Sequence, residues 1–222
     1  MFVKHKCFRG EEQNNPEIVR AVAQKLAQFH AMEVPIIKTG NWLFNNYDKS
    51  LKSAKERFDL KQLFEETNCQ TLMSYDLERE VEWVKRAVLD IQSPYVFNQT
   101  DFSCPNILVT ESDGIVLIDF EYSCYSFRGH DLGCIFSQWE RSSETADQPF
   151  QFPDDHIIKP FIESYIEESA KVKGKQYTED NNNSFEKIVK ESKVFGLTAF
   201  LSITFFILLK DKSFSDKKGT MV

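Results

Sequence analysis

An aspartate, Asp101, is followed five residues later by an asparagine, Asn106, and a second aspartate, Asp119, closes the apolar run Val116-Leu-Ile118. A carboxylate can orient a hydroxyl and accept its proton, while an amide oxygen and a second carboxylate can hold magnesium against the oxygens of a triphosphate. Together the three side chains would carry out phosphoryl transfer to an alcohol, with Asp101 as the base and Asn106 and Asp119 as the ligands of Mg2+.

Such residues need elements that bring them together, and the surrounding sequence supplies candidates. Asn106-Ile-Leu-Val109 and Ile115-Val-Leu-Ile118 are β-forming runs joined through Ser112-Asp113-Gly114. The turn residues predict a hairpin that holds Asn106 and Asp119 close together. Upstream, Asn15-Pro16-Glu17 offers a cap and a first-turn proline, after which Ile18, Val22, Leu26 and Phe29 recur at helical spacing. A second amphipathic helix is predicted from Tyr75 to Ile91, along Leu77, Val81, Val84, Val88 and Ile91. After the hairpin, residues 131–139, 157–169 and 185–209 read as helices, and the polar, Asn-rich stretch 171–184 reads as a loop. The fold class is α+β, mostly helical with a small sheet.

Val194 to Leu209 is almost wholly apolar and lies between Lys193 and Lys210. A bilayer span needs about 20 apolar residues. This run is shorter and is broken by Gly196, Thr198, Ser202 and Thr204, so the expectation is a helix of a globular core and no membrane span.

Composition narrows the function classes. Within 222 residues no Pro/Gly/Ser-rich linker divides the chain, so a single domain is expected. Lys+Arg of 27 against Asp+Glu of 34 gives a net charge of −7, which argues against nucleic-acid binding and suits a cationic substrate. Five cysteines without a C-x-x-C pair, and no apolar leader, predict a reduced, cytoplasmic protein. The four histidines stand at no ligand-like spacing with the cysteines, which disfavours zinc. His30, on a periodic helix, is expected to be a packing residue with its polar atoms satisfied.

The residues Val96-Phe97, Asp101, Asn106-Ile107-Leu108, Leu117-Ile118-Asp119-Phe120-Glu121-Tyr122, Tyr125, Arg128-Gly129, Asp131-Leu132-Gly133, Phe136 and Trp139 form a pattern that resembles the choline/ethanolamine kinases. The stretch Ala23 to Pro35 and Trp42-Leu-Phe44 extend the likeness, which runs from about residue 15 to about residue 212. The resemblance implies the carboxyl lobe of a protein-kinase-like fold, with the hairpin carrying the catalytic and metal-binding residues. It also implies ATP-dependent phosphorylation of choline or ethanolamine, feeding phosphatidylcholine and phosphatidylethanolamine synthesis. In the same terms Glu121 supports a metal-bound water or the substrate, and Asp131 is a buried acid that accepts N–H bonds from the catalytic loop. The other reading of Asp131 is a helix N-cap. Tyr122, Tyr125 and Trp139 are candidates to face the ammonium group through their rings, or else to pack in the core.

The chain departs from the family pattern at several points. Ile203 and Phe206 align where two tryptophans commonly form the ammonium cage, and Gln138 stands where a glutamate is frequent. Gln99-Thr100-Asp101 replaces His-Asn-Asp, which keeps the base and loses the residues that position it. No G-x-G-x-x-G occurs, nor any visible counterpart of the strand lysine and its glutamate partner. Residues 1–15 are accordingly expected to be a residual linker from an absent amino-terminal lobe, 16–212 the carboxyl lobe, and 213–222 a disordered tail. Partners implied are a small amino alcohol and ATP, with a homodimer or a mixed dimer with a complete kinase subunit in view. The alternatives are a non-catalytic relative that acts as a binding partner, and a phosphotransferase of the aminoglycoside kinase type.

Overall fold

The computed structural model of the chain describes residues 5–38, 42–112, 114–141 and 151–210. Its elements are β1 (His5–Cys7), α1 (Pro16–His30), α2 (Trp42–Arg57), α3 (Leu60–Glu66), α4 (Gln70–Ser74), α5 (Leu77–Asp90), β2 (Tyr95–Asn98), β3 (Ile107–Thr110), β4 (Ile115–Leu117), β5 (Cys124–Phe127), α6 (Arg128–Ser137), α7 (Asp155–Lys173), α8 (Gln176–Glu179) and α9 (Phe185–Lys210). Helices dominate, and two small antiparallel sheets, β1-β3-β4 and β2-β5, hold the centre.

Local chemistry accounts for the helix starts. The Asn15 side chain accepts hydrogen bonds from the amides of Glu17 and Ile18, and Pro16 opens α1 where its missing N–H costs nothing. Asp76 caps α5 in the same way. The hairpin forms as expected, with Ile107 opposite Leu117 and Val109 opposite Ile115. Its inward residues, Ile107, Val109, Ile115 and Leu117, are buried against α1 and α7, alternating with more exposed neighbours as a one-sided sheet requires.

Residues 5–14 are not a linker. Strand β1 pairs with β3, His5 opposite Thr110, and the Phe8 amide donates to the Ile107 carbonyl at 2.9 Å. Phe8 is fully buried, edge-on to Trp139 with ring centroids 5.5 Å apart. The segment closes what would otherwise be an open edge of the hairpin and fills the core behind it, so its hydrogen bonds and its apolar burial both tie it to the domain. The stretch 171–184 is likewise more ordered than a loop, because α7 runs to Lys173 and α8 follows almost at once. The turn residue Asp113 and the tail 213–222 lie outside the described residues.

Helix α9 runs for 26 residues, far beyond Val194, and its span Phe185–Leu209 is long and apolar enough to cross a bilayer by length and composition. The expectation of too short a run rested on Val194–Leu209 alone, and the helix as a whole exceeds that length. Within the fold 44% of its apolar window is buried, against α6, α2 and α5. Close approach to α6 depends on Gly133, where a Cβ would sit 2.4 Å from the Phe195 carbonyl carbon. At the head of α6, Arg128 is buried and uses all five guanidinium N–H groups. Nε and Nη2 bind Glu191 of α9 at 3.0 and 2.8 Å, Nη1 binds Asn183 and Tyr177, and Nη2 also binds the Asn182 carbonyl.

Candidate active site

The segment from Asn98 to Asn106 joins β2 to β3 and carries the proposed base. Its shape is set by Asp131, fully buried on α6, whose Oδ2 accepts from the Gln99 amide and whose Oδ1 accepts from the Thr100 amide, each at 2.9 Å. Behind it, His30 of α1 places Nε2 3.1 Å from Asp131 Oδ2 and Nδ1 2.8 Å from the Tyr165 hydroxyl. Burial lowers the His30 pKa below the ordinary histidine value, against the opposing pull of Asp131. Asp131 lies inside α6 and not at its cap, which is Phe127. His30, read from sequence as packing, is hydrogen-bonded to both neighbours and supports the loop from behind.

Thr100 has φ of 68°, a left-handed conformation that a β-branched residue adopts only when its surroundings impose it. They do so here at three atoms. The Thr100 amide is held by Asp131, its carbonyl accepts from His130 Nε2 at 3.1 Å, and its hydroxyl donates to the Tyr122 carbonyl at 3.0 Å. That strained residue delivers Asp101 to the cleft.

The Asp101 carboxylate reaches solvent at the mouth of the cleft while protein encloses most of its surroundings. Asn106 Nδ2 donates to Asp101 Oδ2 at 2.8 Å and to its carbonyl at 3.0 Å. Partial burial is the largest influence on Asp101 and raises its pKa above the ordinary aspartate value. Hydrogen bonds from Ser103 and Asn106 oppose this, and the charges of Asp119 and Asp131 reinforce it. The position is that of a base made more avid for a proton.

Asn106 immediately precedes β3 and Asp119 follows β4, and the two ends are linked through the Ile118 amide donating to the Asn106 carbonyl at 3.1 Å. With Nδ2 committed to Asp101, the planar amide of Asn106 leaves Oδ1 for a cation. Asp119 is exposed and has a left-handed backbone, with φ of 61°. Two hard oxygen donors suit magnesium, which keeps several waters and takes further oxygens from phosphates. Among the described residues no group of three His, Cys, Asp or Glu is disposed to hold a metal.

Beside Asp101 opens a cavity of about 570 Å³. Of the residues singled out in the sequence, Asp101, Glu121, Tyr122, Gln138, Ile203 and Phe206 line it. The charge of Glu121, and its hydrogen bond, raise the pKa of the adjacent Tyr122 phenol. Tyr125 and Trp139 do not reach the cavity. Tyr125 is buried on β5 with its hydroxyl accepting from the Val34 amide at 2.8 Å and its ring under the Lys38 ammonium at 4.6 Å. Trp139 packs among Phe8, Phe136 and Phe161 in the core behind the hairpin. Tyr125 lies on β5, and Trp139 lies in the turn that follows α6, where the sequence reading had extended the helix to residue 139.

The far wall comes from α2, through Trp42 and Tyr47, with Phe205 of α9 beside them. Sequence reading attached no role to these positions. The usable signal was helical periodicity along Leu43, Tyr47, Leu51 and Ala54, all buried. Tyr47 donates to the Thr198 carbonyl at 2.8 Å, and burial raises its pKa well above that of a free phenol.

A hairpin entered through an aspartate and an asparagine and left through a second, left-handed aspartate, backed by a helical layer, defines the carboxyl lobe of a protein-kinase-like fold. The same architecture is present in an ethanolamine kinase from Plasmodium vivax, with a TM-score of 0.70 over 97% of this chain and 61% of that one, at 21% identity. The model of the choline/ethanolamine kinase family matches residues 1–218, and the chain belongs to that family. It is 29% identical over 197 residues to a human choline/ethanolamine kinase, covering 84% of this chain and 48% of that protein. With mouse choline kinase alpha the identity is 30% over 177 residues, covering 74% and 39%. The chain thus spans about half the length, or less, of the curated relatives it matches.

Proposed function

We propose that the chain transfers the γ-phosphoryl group of ATP to the hydroxyl of a small amino alcohol, choline or ethanolamine, as a cytoplasmic kinase supplying phospholipid headgroup synthesis. The observation that carries this reading is the Asp101 carboxylate, fixed by Asn106 and opening onto a cavity walled by aromatic rings and Glu121. The alcohol hydroxyl bonds to Asp101, which accepts its proton as the alcohol oxygen attacks phosphorus. The new P–O bond forms while the bond to the β-phosphate oxygen breaks, releasing ADP. Asn106 and Asp119 would hold Mg2+, which neutralises phosphate charge when bound. Glu121 and the rings of Tyr122 and Phe206 present negative charge and π-faces to the ammonium group, with Gln138 and Ile203 completing the wall and Trp42 and Tyr47 opposite. The raised pKa of Asp101 supports its role as base.

The test is incubation of the chain with ATP, Mg2+ and choline, ethanolamine or an uncharged alcohol of choline's shape, with phosphorylated product measured by 31P NMR. The reading expects phosphate on an amino alcohol and little on the neutral isostere. Transfer to neither amino alcohol, or equal transfer to the isostere, overturns it.

A further inference from the structure

The replacement of the family's His-Asn by Gln99-Thr100 leads to an expectation of a poorly positioned base, and the side-chain geometry points the other way. Gln99 is fully buried, and its Nε2 donates to the Ile118 carbonyl at 2.6 Å. Ile118 immediately precedes Asp119, so this bond holds the peptide that leads into the left-handed aspartate. The next residue, Thr100, donates its hydroxyl to the Tyr122 carbonyl at 3.0 Å, just beyond Glu121. Two consecutive side chains thus grip both ends of the acidic turn 118–122, and the residue after them is Asp101. A third, longer contact, Ser123 Oγ to the Gln99 carbonyl at 3.5 Å, closes the same seam from the other side.

The cost of this arrangement is visible, because the Gln99 Oε1 is buried without a hydrogen-bond partner. An unsatisfied buried acceptor is unfavourable, and it is tolerated where the rest of the group is committed elsewhere. Gln99 must present Nε2 to Ile118, so Oε1 is turned into the protein. Thr100 accepts a left-handed backbone in the same place.

We infer that Gln99 and Thr100 are positioning residues forming a two-point clamp that sets the distance between the base Asp101 and the acidic turn carrying Asp119 and Glu121. Neither needs to touch substrate. The inference rests on the proposed site, but the clamp itself is testable without turnover. Four proteins are compared: the parent chain, Gln99→Met, which keeps length and loses the donor, Thr100→Val, which loses the hydroxyl, and Thr100→Ser, which restores it.

The readouts are Mn2+ affinity in the presence of ATP, by water-proton relaxation, and amide hydrogen exchange over residues 117–123, with melting temperature as a control for global folding. Residues that orient a metal ligand are worth about 10–100-fold in metal affinity, so Gln99→Met and Thr100→Val are expected to weaken Mn2+ by about that factor and to speed exchange in the turn. Thr100→Ser is expected to stay within about threefold of the parent, since it keeps the bond to Tyr122. Unchanged exchange in the turn of both donorless variants overturns the clamp, as does a Thr100→Ser variant as damaged as Thr100→Val. If Gln99→Met does not fold, the Thr100 pair decides alone. If the parent transfers no phosphate or binds no Mn2+, the proposed function fails while exchange over 117–123 still decides the clamp.

Discussion

Asp101 is the residue on which the site turns, and its environment ties reactivity to stability. Burial, the largest influence, raises its pKa, so the folded protein binds that proton more tightly than the unfolded chain does. The sign follows from linkage: the protonated form favours folding, this contribution is complete below the unfolded aspartate pKa, and it is lost as pH rises through the elevated folded value. At neutral pH the ionised Asp101 therefore costs stability, and Asp101→Asn is expected to melt higher than the parent at pH 7, with the gap closing below pH of about 4 in thermal scans. The acid limb of the kcat profile should lie above the ordinary aspartate range for the same reason. Gln138 gives a second prediction, because it lines the cavity without charge. Two charges about 4 Å apart attract by about 1 kcal/mol in water, so Gln138→Glu should lower KM for choline by about fivefold, an effect that fades with added salt. Asp101 and Asn106 are legible in sequence because their spacing is local and strands flank them. Tyr125 and Trp139 illustrate the limit, since an aromatic type does not reveal whether its ring enters the core or the cavity.

Among the elements, α6 bears the most. It carries Asp131 and His130 to the loop, and its first residue, Arg128, is locked to Glu191 of α9. Removing one partner of a buried pair leaves an uncompensated charge and typically costs about 3–5 kcal/mol, whereas replacing both by apolar residues is often neutral. Arg128→Met alone is thus expected to lose about that much in urea unfolding, and Arg128→Met with Glu191→Leu to recover part of it. The helices α1 and α5 are legible from caps and period, and the hairpin from its turn. Helix α2 went unread although its stripe of Leu43, Tyr47, Leu51 and Ala54 has the right spacing, because its exposed face is strongly polar and the apolar signal is diluted.

For the whole molecule, the informative discrepancy is at the amino-terminal end, where sequence suggested a linker and the fold places an integral strand. A three-residue strand carries almost no periodic signal. Its partner, β3, lies about a hundred residues away, so only tertiary pairing reveals it. Phe8 makes this quantitative: Phe→Ala in a core costs about 3–5 kcal/mol, a large part of the roughly 5–15 kcal/mol that stabilises a domain. Phe8→Ala is expected to lower the urea midpoint sharply with little change in the m-value. A true linker residue would leave both unchanged. Helix α9 was legible almost to its bounds, expected over 185–209 and found over Phe185–Lys210, with the buried polar residues Glu191 and Ser192 lying inside it.

The account as a whole requires that one carboxylate accept the alcohol proton, and kcat of Asp101→Asn beside the parent, with ATP, Mg2+ and the better amino alcohol at saturation, tests this most directly. General-base catalysis is worth about 10²–10⁴-fold, so the variant is predicted to fall by a factor in that range while remaining folded and at least as stable. A folded Asp101→Asn variant that turns over within about threefold of the parent would contradict the assignment of Asp101 and the phosphoryl-transfer site built around it.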